Sequence, residues 1–218
     1  MKLFIYDHCP YCVKARMIFG LKKVPFELVT LLNDDENTPI KMIGQKMVPI
    51  LEIEPGQFMP ESMDIVKFID KKFPPVVVTE KENPSLLEIL DQARIAYYSL
   101  VMPRWINSRM EEFKTPSAKQ YFQKKKENMI GPFFSALENT ENFKKEIIKI
   151  LQEIEKKMAE KNQWYLGDKI SFNDFHLFAF LRSLTIVKGL PFPPKLKRYV
   201  KNCAHKSQIP LSYKQALV

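Results

Sequence analysis

The sequence predicts an α/β domain followed by an all-α domain. Within the first 73 residues, short apolar runs alternate with helical patterns in the order β-α-β-α-β-β-α. After a proline-rich stretch, apolar residues recur at spacings of three and four, which is typical of helices. A chain of 218 residues is long enough to give both domains an apolar core.

Each element of the first domain, 1–73, has its own signal. Runs rich in strand-forming residues predict strands, and the turn Glu-Pro-Gly joins the last two of them: 2–6, 25–31, 48–53 and 57–59. Apolar residues at helical spacing predict the three helices: 10–22, 34–44 and 61–73. We therefore expect a compact unit in which a helix follows the first strand directly.

A linker is predicted over 74–83, and an all-helical domain over 84–218. The linker starts with two prolines and ends at Asn83, which can cap a helix whose first residue is Pro84. Helical patterns follow at 85–102, 115–122, 142–158 and 168–187. Ser171 and Asp174 have the spacing of a capping box at the start of the last pattern. Pro103 should bend the first helix, and Arg104 beside it is a candidate interdomain contact.

The composition indicates a soluble cytoplasmic protein. No apolar stretch is long enough to span a bilayer, and the polar N-terminus argues against a secretory signal. The net charge of +9 lies after residue 72, because residues 1–72 hold ten basic and ten acidic side chains. We interpret the basic half as a solvated helical surface, since its lysines are mixed with glutamates and lack interleaved aromatics. Neither nucleic acid nor a membrane is therefore an expected partner.

Cys9 and Cys12 form a C-P-Y-C motif where the first strand gives way to the first helix. If Cys9 caps that helix and Pro10 takes its first position, free backbone N–H groups and the helix dipole favour a thiolate at Cys9. Cys12 lies one turn into the helix and should be less exposed. We expect Cys9 to attack a substrate and Cys12 to close a disulfide behind it.

Other readings of the cysteines are weaker. A structural zinc site needs about four ligands, and the sequence has no second C-x-x-C, while His176 and His205 are remote. We therefore expect no metal. His8 is interpreted as a surface loop residue rather than a catalytic base. Cys203 has no partner in sequence and is expected in the core or on the surface.

These motifs together resemble known families. C-P-Y-C after the first strand, Val48–Pro49 at the third strand and Glu61–Ser62 at the third helix resemble the thioredoxin-fold domain of glutaredoxins. The helical half, with its Ser-x-x-Asp cap, resembles the C-terminal domain of glutathione transferases. Their combination, with the segments "LLNDD", "VPIL", "MPESMDIV" and "TPSAKQYF", resembles the bacterial glutaredoxin 2 type over essentially the whole chain.

The resemblance implies a glutathione-dependent disulfide oxidoreductase with a thioredoxin-like domain, a glutathione-transferase-like architecture and, by family analogy, a monomeric state. Its expected partners are glutathione, as co-substrate, and disulfide-containing or glutathionylated proteins. It implies that Cys9 is the nucleophile and Cys12 the resolving thiol. The implied glutathione-binding residues are Cys9, Pro10, Tyr11, Val48, cis-Pro49, Glu61 and Ser62. Lys22 or Lys23 is a candidate for the glycyl carboxylate.

Two rival functions are left open by the sequence. One is a glutathione transferase, or a thiol-type reductase of the same fold such as a dehydroascorbate reductase. Transferases usually activate glutathione with a Tyr or Ser hydroxyl, so a cysteine at that position favours disulfide exchange. The other is a non-catalytic module that binds a partner or a membrane, as in the chloride intracellular channel family. Only the basic helical half supports it.

Overall fold

The first domain of this computed structural model, which describes residues 1–79, 82–158 and 163–217, is built on a mixed four-stranded sheet. The strands are β1 Lys2–Ile5, β2 Glu27–Thr30, β3 Ile50–Glu54 and β4 Gln57–Met59. They lie in the order β2-β1-β3-β4, with β2 parallel to β1 and β3 antiparallel to both of its neighbours. The predicted strands and the β3–β4 hairpin are confirmed.

Three helices complete this domain in the predicted order: α1 Pro10–Lys22, α2 Asn37–Ile43 and α3 Ser62–Lys72. Helices α1 and α3 pack on each other, and Val13, Met17, Ile65 and Ile69 are fully buried. Because β1 ends at Ile5 and α1 begins at Pro10, the cysteine motif lies at a strand-to-helix junction. The fold is a thioredoxin-like domain.

The second half of the chain is helical. Its helices are α4 Pro84–Gln92, α5 Arg94–Trp105, α6 Pro116–Ile130, α7 Phe133–Glu138, α8 Thr140–Lys157, α9 Phe172–Leu184 and α10 Pro194–Ser207. Short 3-10 turns occur at Glu111–Phe113 and Ser212–Gln215. The sequence predicted one helix across 85–102, whereas the structure divides it at Ala93. The apolar periodicity runs on through the division and so does not reveal it.

Helix α9 lies at the centre of the second domain. The predicted capping box is present at its start, and Asp174 Oδ2 accepts the Ser171 N–H at 2.8 Å. Asp174 Oδ1 accepts the Tyr165 N–H and the Tyr199 hydroxyl, both at 2.8 Å. The buried Asp174 carboxylate thus caps the N-terminus of α9 and hydrogen-bonds to the preceding loop and to α10. Cys203, on α10, is fully buried, which confirms one of its two expected places.

Among the described residues, Arg104 makes no hydrogen bond or ion pair with the first domain, so its expected interdomain contact was wrong. Its guanidinium donates to the carbonyl oxygens of Leu100 and Leu217 and to the Thr140 hydroxyl, all in the second half of the chain. Pro103 lies inside α5, as predicted. Arg104 lies in the helical core, where it is 1 % exposed.

An ion pair between Asp7 and Arg182 links the two domains. The Arg182 guanidinium, 2 % exposed on α9, donates to both Asp7 carboxylate oxygens at 3.0 and 2.9 Å and to the Asp7 carbonyl oxygen at 2.6 Å. Arg16 on α1 donates to the same carboxylate. These contacts hold the segment just before the cysteine motif against the core of the helical domain.

Helix α1 also approaches α10 closely. A Cβ at Gly20 would lie 1.9 Å from the backbone oxygen of Ser207, so only glycine fits between the two helices there. The cysteine motif therefore begins a helix that is packed against both domains.

Candidate active site

Cys9 occupies the N-cap of α1, as predicted. Its backbone is extended (φ −69°, ψ 120°), Pro10 follows at the first helical position, and the side chain is half-buried. The Cys9 side chain makes no capping hydrogen bond, but the free N–H groups and the dipole at the start of a helix favour a negative charge at this position. Cys12 lies within the helix and is fully buried.

The environment shifts the pKa values of the two thiols in opposite directions. A hydrogen bond from the Cys12 thiol lowers the pKa of Cys9 to about 6, against burial, which raises it. The neighbouring His8 and the backbone N–H groups of Cys12 and Tyr11 also contribute to this lowered value. Burial, and then the neighbouring Cys9 sulfur, raise the pKa of Cys12 well above its ordinary value. At neutral pH, Cys9 is therefore the thiolate of the pair and Cys12 the thiol.

The loop before β3 has the predicted form. The Val48–Pro49 peptide bond is cis, and Pro49 is buried while Val48 is half-buried. Within the part of the chain that the structure describes, neither backbone polar group of Val48 makes a hydrogen bond. Both groups are available to an extended peptide that lies beside Cys9.

Glu61 and Ser62 start α3. Glu61 is exposed and has a positive φ of 69°, a conformation that L-residues other than Asn and Asp seldom adopt. Ser62 is 3 % exposed at the first helical position, where backbone N–H groups lack helical partners. The start of α3 thus offers N–H donors and one carboxylate.

Lys14 lies near both Cys9 and the start of α3. Burial lowers the pKa of Lys14 to about 8, and the charges of Cys9 and Glu61 act against that shift. The Lys14 ammonium therefore lies within electrostatic reach of both groups. It is 3.1 Å from His176 Nδ1 on α9 and 4.5 Å from the centre of the Tyr11 ring.

Lys22 and Lys23 are not at the site, and their assignment to a glycyl carboxylate was wrong. Lys22 pairs with Asp70 at 2.8 Å and also donates to the Pro75 carbonyl oxygen. Both lysines lie at the C-terminal end of α1, about 20 Å along the helix axis from Cys9. Asp70 also accepts the Val77 and Val78 N–H groups, so Lys22 helps to hold the interdomain connection.

A cleft of about 310 Å³ opens beside Cys9 between the two domains. The loop before β3 forms one wall, and α5 and α6 form the other with Tyr98, Trp105 and Phe122. Lys46, Lys125 and Lys126 also line it, and no local sequence pattern indicated that these lysines lie near Cys9. The cleft is thus mostly apolar, with cationic groups that favour an anionic ligand.

His8 is buried rather than on the surface, so its predicted position was wrong. It is 6 % exposed and packs among the rings of Tyr6, Trp105, Phe113 and Phe122. Its Nδ1 lies 2.8 Å from Oε1 of Glu112, a fully buried residue of the helical domain. No local pattern around residue 8 could show this, because the partners lie about a hundred residues along the chain.

The described residues contain no group of three or more His, Cys, Asp or Glu side chains placed to hold a metal ion. All three cysteines are free thiols. Among the helices in the described ranges, none combines the length and the apolar character that crossing a bilayer requires.

Two family models divide the chain between them. The model for the C-terminal domain of glutaredoxin 2 matches residues 85–216, and the glutathione S-transferase N-terminal domain model matches residues 3–82. Glutaredoxin 2 of Escherichia coli K12 is 43 % identical over 217 residues, covering 100 % of both chains. The chain belongs to the glutaredoxin 2 family. It is a glutathione-dependent thiol-disulfide oxidoreductase.

Solved structures agree with this membership. Glutaredoxin 2 from Salmonella typhimurium, determined in complex with glutathione, is 44 % identical and superposes with a TM-score of 0.94 over 99 % of this chain and 98 % of its own. A glutathione S-transferase from Rhodospirillum rubrum is 14 % identical, with a TM-score of 0.62 over 100 % of this chain and 91 % of its own. The second comparison shows that this glutaredoxin 2 member shares the transferase fold.

Proposed function

We propose that Cys9 is the nucleophile of this oxidoreductase and Cys12 its resolving thiol. The proposal depends on the opposite pKa shifts of the two neighbouring thiols: the pKa of Cys9 is lowered to about 6, and that of Cys12 is raised. A thiolate attacks disulfides and a thiol does not. The half-buried Cys9 is also the one that an incoming disulfide can reach.

The glutathione site is proposed to run from Cys9 to the start of α3. Pro10 and the 52 % exposed Tyr11 would flank the tripeptide, and Val48 before cis-Pro49 would pair with its backbone. Ser62 and the N–H groups beside it would bind the γ-glutamyl carboxylate, as helix N-termini bind anions, and Glu61 would receive the ammonium group. The glutathione complex of the Salmonella relative supports this ligand.

Reduction of a protein–glutathione mixed disulfide needs only Cys9. The Cys9 thiolate attacks the glutathione sulfur, the substrate disulfide breaks, and the protein leaves as a thiolate that takes up a proton from water. A second glutathione, after losing its thiol proton, attacks the glutathione sulfur held on Cys9. Glutathione disulfide leaves and the Cys9 thiolate is restored, so the mixed disulfide and one free glutathione become the protein thiol and glutathione disulfide.

Reduction of a protein disulfide needs both cysteines. Cys9 first forms a mixed disulfide with one substrate sulfur, which removes the Cys9 charge that helps to raise the pKa of Cys12. Cys12 then loses its proton and attacks Cys9, so the substrate leaves as a dithiol and Cys9–Cys12 is oxidised. Two glutathione molecules reduce that disulfide to two thiols and leave as glutathione disulfide. Glutaredoxins have reduction potentials of roughly −200 to −230 mV, close to that of the cellular glutathione pool, so glutathione can reduce the Cys9–Cys12 disulfide.

The protein substrates are proposed to be disulfide-containing and glutathionylated proteins, and the working form a monomer in the cytoplasm. A chain with only three cysteines is unlike the disulfide-stapled domains of secreted proteins, which favours a reducing compartment. We also propose that the chain consists of a domain at 1–73, a linker at 74–83 and a domain at 84–218. It is supported by the end of α3 at Lys72 and the start of α4 at Pro84. Glu80 and Lys81 of that linker lie outside the described residues.

The proposal is tested by comparing two activities of the purified protein. We expect rapid glutathione-dependent reduction of a mixed disulfide of glutathione and slow conjugation of an aryl halide, because the Cys9 thiolate exchanges disulfides. The reverse ranking would favour the transferase, and salt-sensitive binding to anionic vesicles with neither activity would favour the binding module.

Ser62→Ala tests the glutathione contacts in the same assay. We expect KM for glutathione to rise about tenfold, because a hydrogen bond to a charged group contributes ~1.5–3 kcal/mol. Ser117→Ala is the matched control, since Ser117 is exposed in the first turn of α6 and outside the site. Equal KM values for Ser62→Ala and the control would remove Ser62 from the proposed site.

A further inference from the structure

His8 precedes the nucleophile directly and belongs to the same cleft wall as Cys9. Its ring is enclosed by aromatic side chains, with centroids of Trp105, Phe113 and Phe122 at 4.8, 4.9 and 5.2 Å. Such an apolar enclosure disfavours a charged imidazole unless a counter-charge lies beside it.

Glu112 provides that counter-charge. It belongs to the 3-10 turn Glu111–Phe113 of the helical domain and is fully buried. Its Oε1 accepts the backbone N–H of His8 at 2.8 Å and lies at the same distance from His8 Nδ1. Its Oε2 has no hydrogen-bond partner among the described residues. Nothing in the oxidoreductase mechanism above uses this carboxylate.

We propose that Glu112 and His8 act together as positioning residues: Glu112 keeps His8 protonated, and the resulting positive charge stabilises the adjacent Cys9 thiolate. The helical domain would then take part in disulfide exchange by supplying the charge that sets the reactivity of the nucleophile. The inference rests on the proposed role of Cys9.

Several other titratable groups surround Cys9, and the test has to leave them unchanged. They are Tyr6 on β1, Cys12 and Lys14 on α1, Tyr97 and Tyr98 on α5, and Lys126 on α6. None of them makes a hydrogen bond to Glu112 within the described ranges, where its partners are His8 and, through its carbonyl oxygen, the Asn33 N–H. Hydrogen bonds therefore relate Glu112 to Cys9 through His8. Loss of the Glu112 negative charge would by itself lower the Cys9 pKa, so a rise in that pKa identifies the effect of His8.

Glu112→Gln is the discriminating variant. Glutamine keeps the shape and can still accept the His8 N–H, but it removes the charge that a buried imidazolium requires. We expect the Cys9 pKa, measured from thiolate absorbance, to rise by about one unit, so that alkylation by iodoacetamide at pH 5 slows about tenfold. At pH 9.5, where the thiolate is complete in both proteins, the alkylation rates should converge.

Glu111→Gln is the matched control, because Glu111 is exposed in the same turn and pairs only with Lys114 at 3.5 Å. It should titrate as the wild type does. His8→Asn is the second variant, and it should raise the Cys9 pKa at least as much, since it leaves the Glu112 charge uncompensated. If Glu112→Gln does not fold, as judged by the lack of a cooperative thermal transition, the Cys9 pKa of His8→Asn decides whether the inference holds.

A Cys9 pKa in Glu112→Gln that equals or falls below the wild-type value would overturn the inference. Slowed alkylation at every pH would also overturn it, because that pattern indicates displaced atoms rather than lost charge. Neither result touches the proposed function, provided that the wild-type Cys9 is itself reactive. An unreactive wild-type Cys9 would instead remove the function on which the inference rests.

Discussion

Replacing Cys12 with serine is expected to separate the two reductions: the Cys12→Ser protein keeps reducing glutathione mixed disulfides and loses the reduction of protein disulfides. Cys9→Ser is expected to lose both, by roughly a thousandfold or more, as when other enzymes lose a nucleophile. The difference follows from the roles of the two sulfurs. Only the second reaction passes through an attack by Cys12 on a mixed disulfide at Cys9.

The measurement is a pair of steady-state assays with one glutathionylated protein and one protein disulfide. Cys12→Ser should also accumulate a covalent adduct with the protein-disulfide substrate, visible by mass spectrometry, because nothing resolves it. Cys203→Ala is the control for loss of a buried cysteine far from the site, and it should retain both activities. Equal losses of the two activities in Cys12→Ser would contradict the assigned roles.

Asp7→Asn is expected to lower the free energy of unfolding by about 3 kcal/mol at pH 7. The Arg182 and Arg16 guanidinium groups outweigh burial and hold the pKa of Asp7 at about 2, against 3.8 for an ordinary aspartate. That displacement alone corresponds to about 2.5 kcal/mol. The variant also leaves Arg182, which is 2 % exposed, without its carboxylate partner.

The pH dependence identifies the cause of the loss. Because the folded pKa is depressed, the ionised carboxylate stabilises the protein fully above pH 4, and this contribution is lost as the pH falls towards 2. About half of it should remain at pH 3. The difference between wild type and Asp7→Asn, measured by urea unfolding, should therefore shrink from pH 7 to pH 3.

Asp91→Asn is the matched control for Asp7→Asn. Asp91 and Arg94 form an exposed pair at 3.9 Å, with side chains 77 % and 60 % exposed. Such pairs contribute little, so this variant should unfold within about 0.5 kcal/mol of the wild type. If Asp7→Asn lowers the free energy of unfolding no more than Asp91→Asn does, or by an amount that does not change with pH, the charge of Asp7 does not stabilise the protein.

The sequence predicted the features that depend on neighbouring residues. The strand-to-helix junction at Cys9, the start of α3 at Ser62 and the cap at Ser171 are all local, and each is observed. Local chemistry and helical spacing were sufficient for these features, including the place of Cys9 and the order of the elements. The cis bond at Pro49 was expected from the resemblance to glutaredoxins rather than from its local sequence.

Features that depend on distant residues were missed or wrong. His8 was expected at the surface, yet Glu112 and the rings of α5 and α6 bury it. Lys22 lies at the wrong end of α1 for the site and pairs with Asp70, and Arg104 turned inward rather than toward the first domain. Each error concerns a polar side chain whose partner is set by how the two domains pack, which sequence spacing does not encode.

The central claim is that one sulfur is held as an anion at neutral pH while its neighbour keeps its proton. It is tested most directly by following thiolate absorbance against pH in the reduced wild-type protein, with Cys9→Ser as the blank. The account predicts a transition at a pKa of about 6 that is absent from Cys9→Ser. A single transition near the ordinary thiol value of ~8.5, or one that survives in Cys9→Ser, would contradict it.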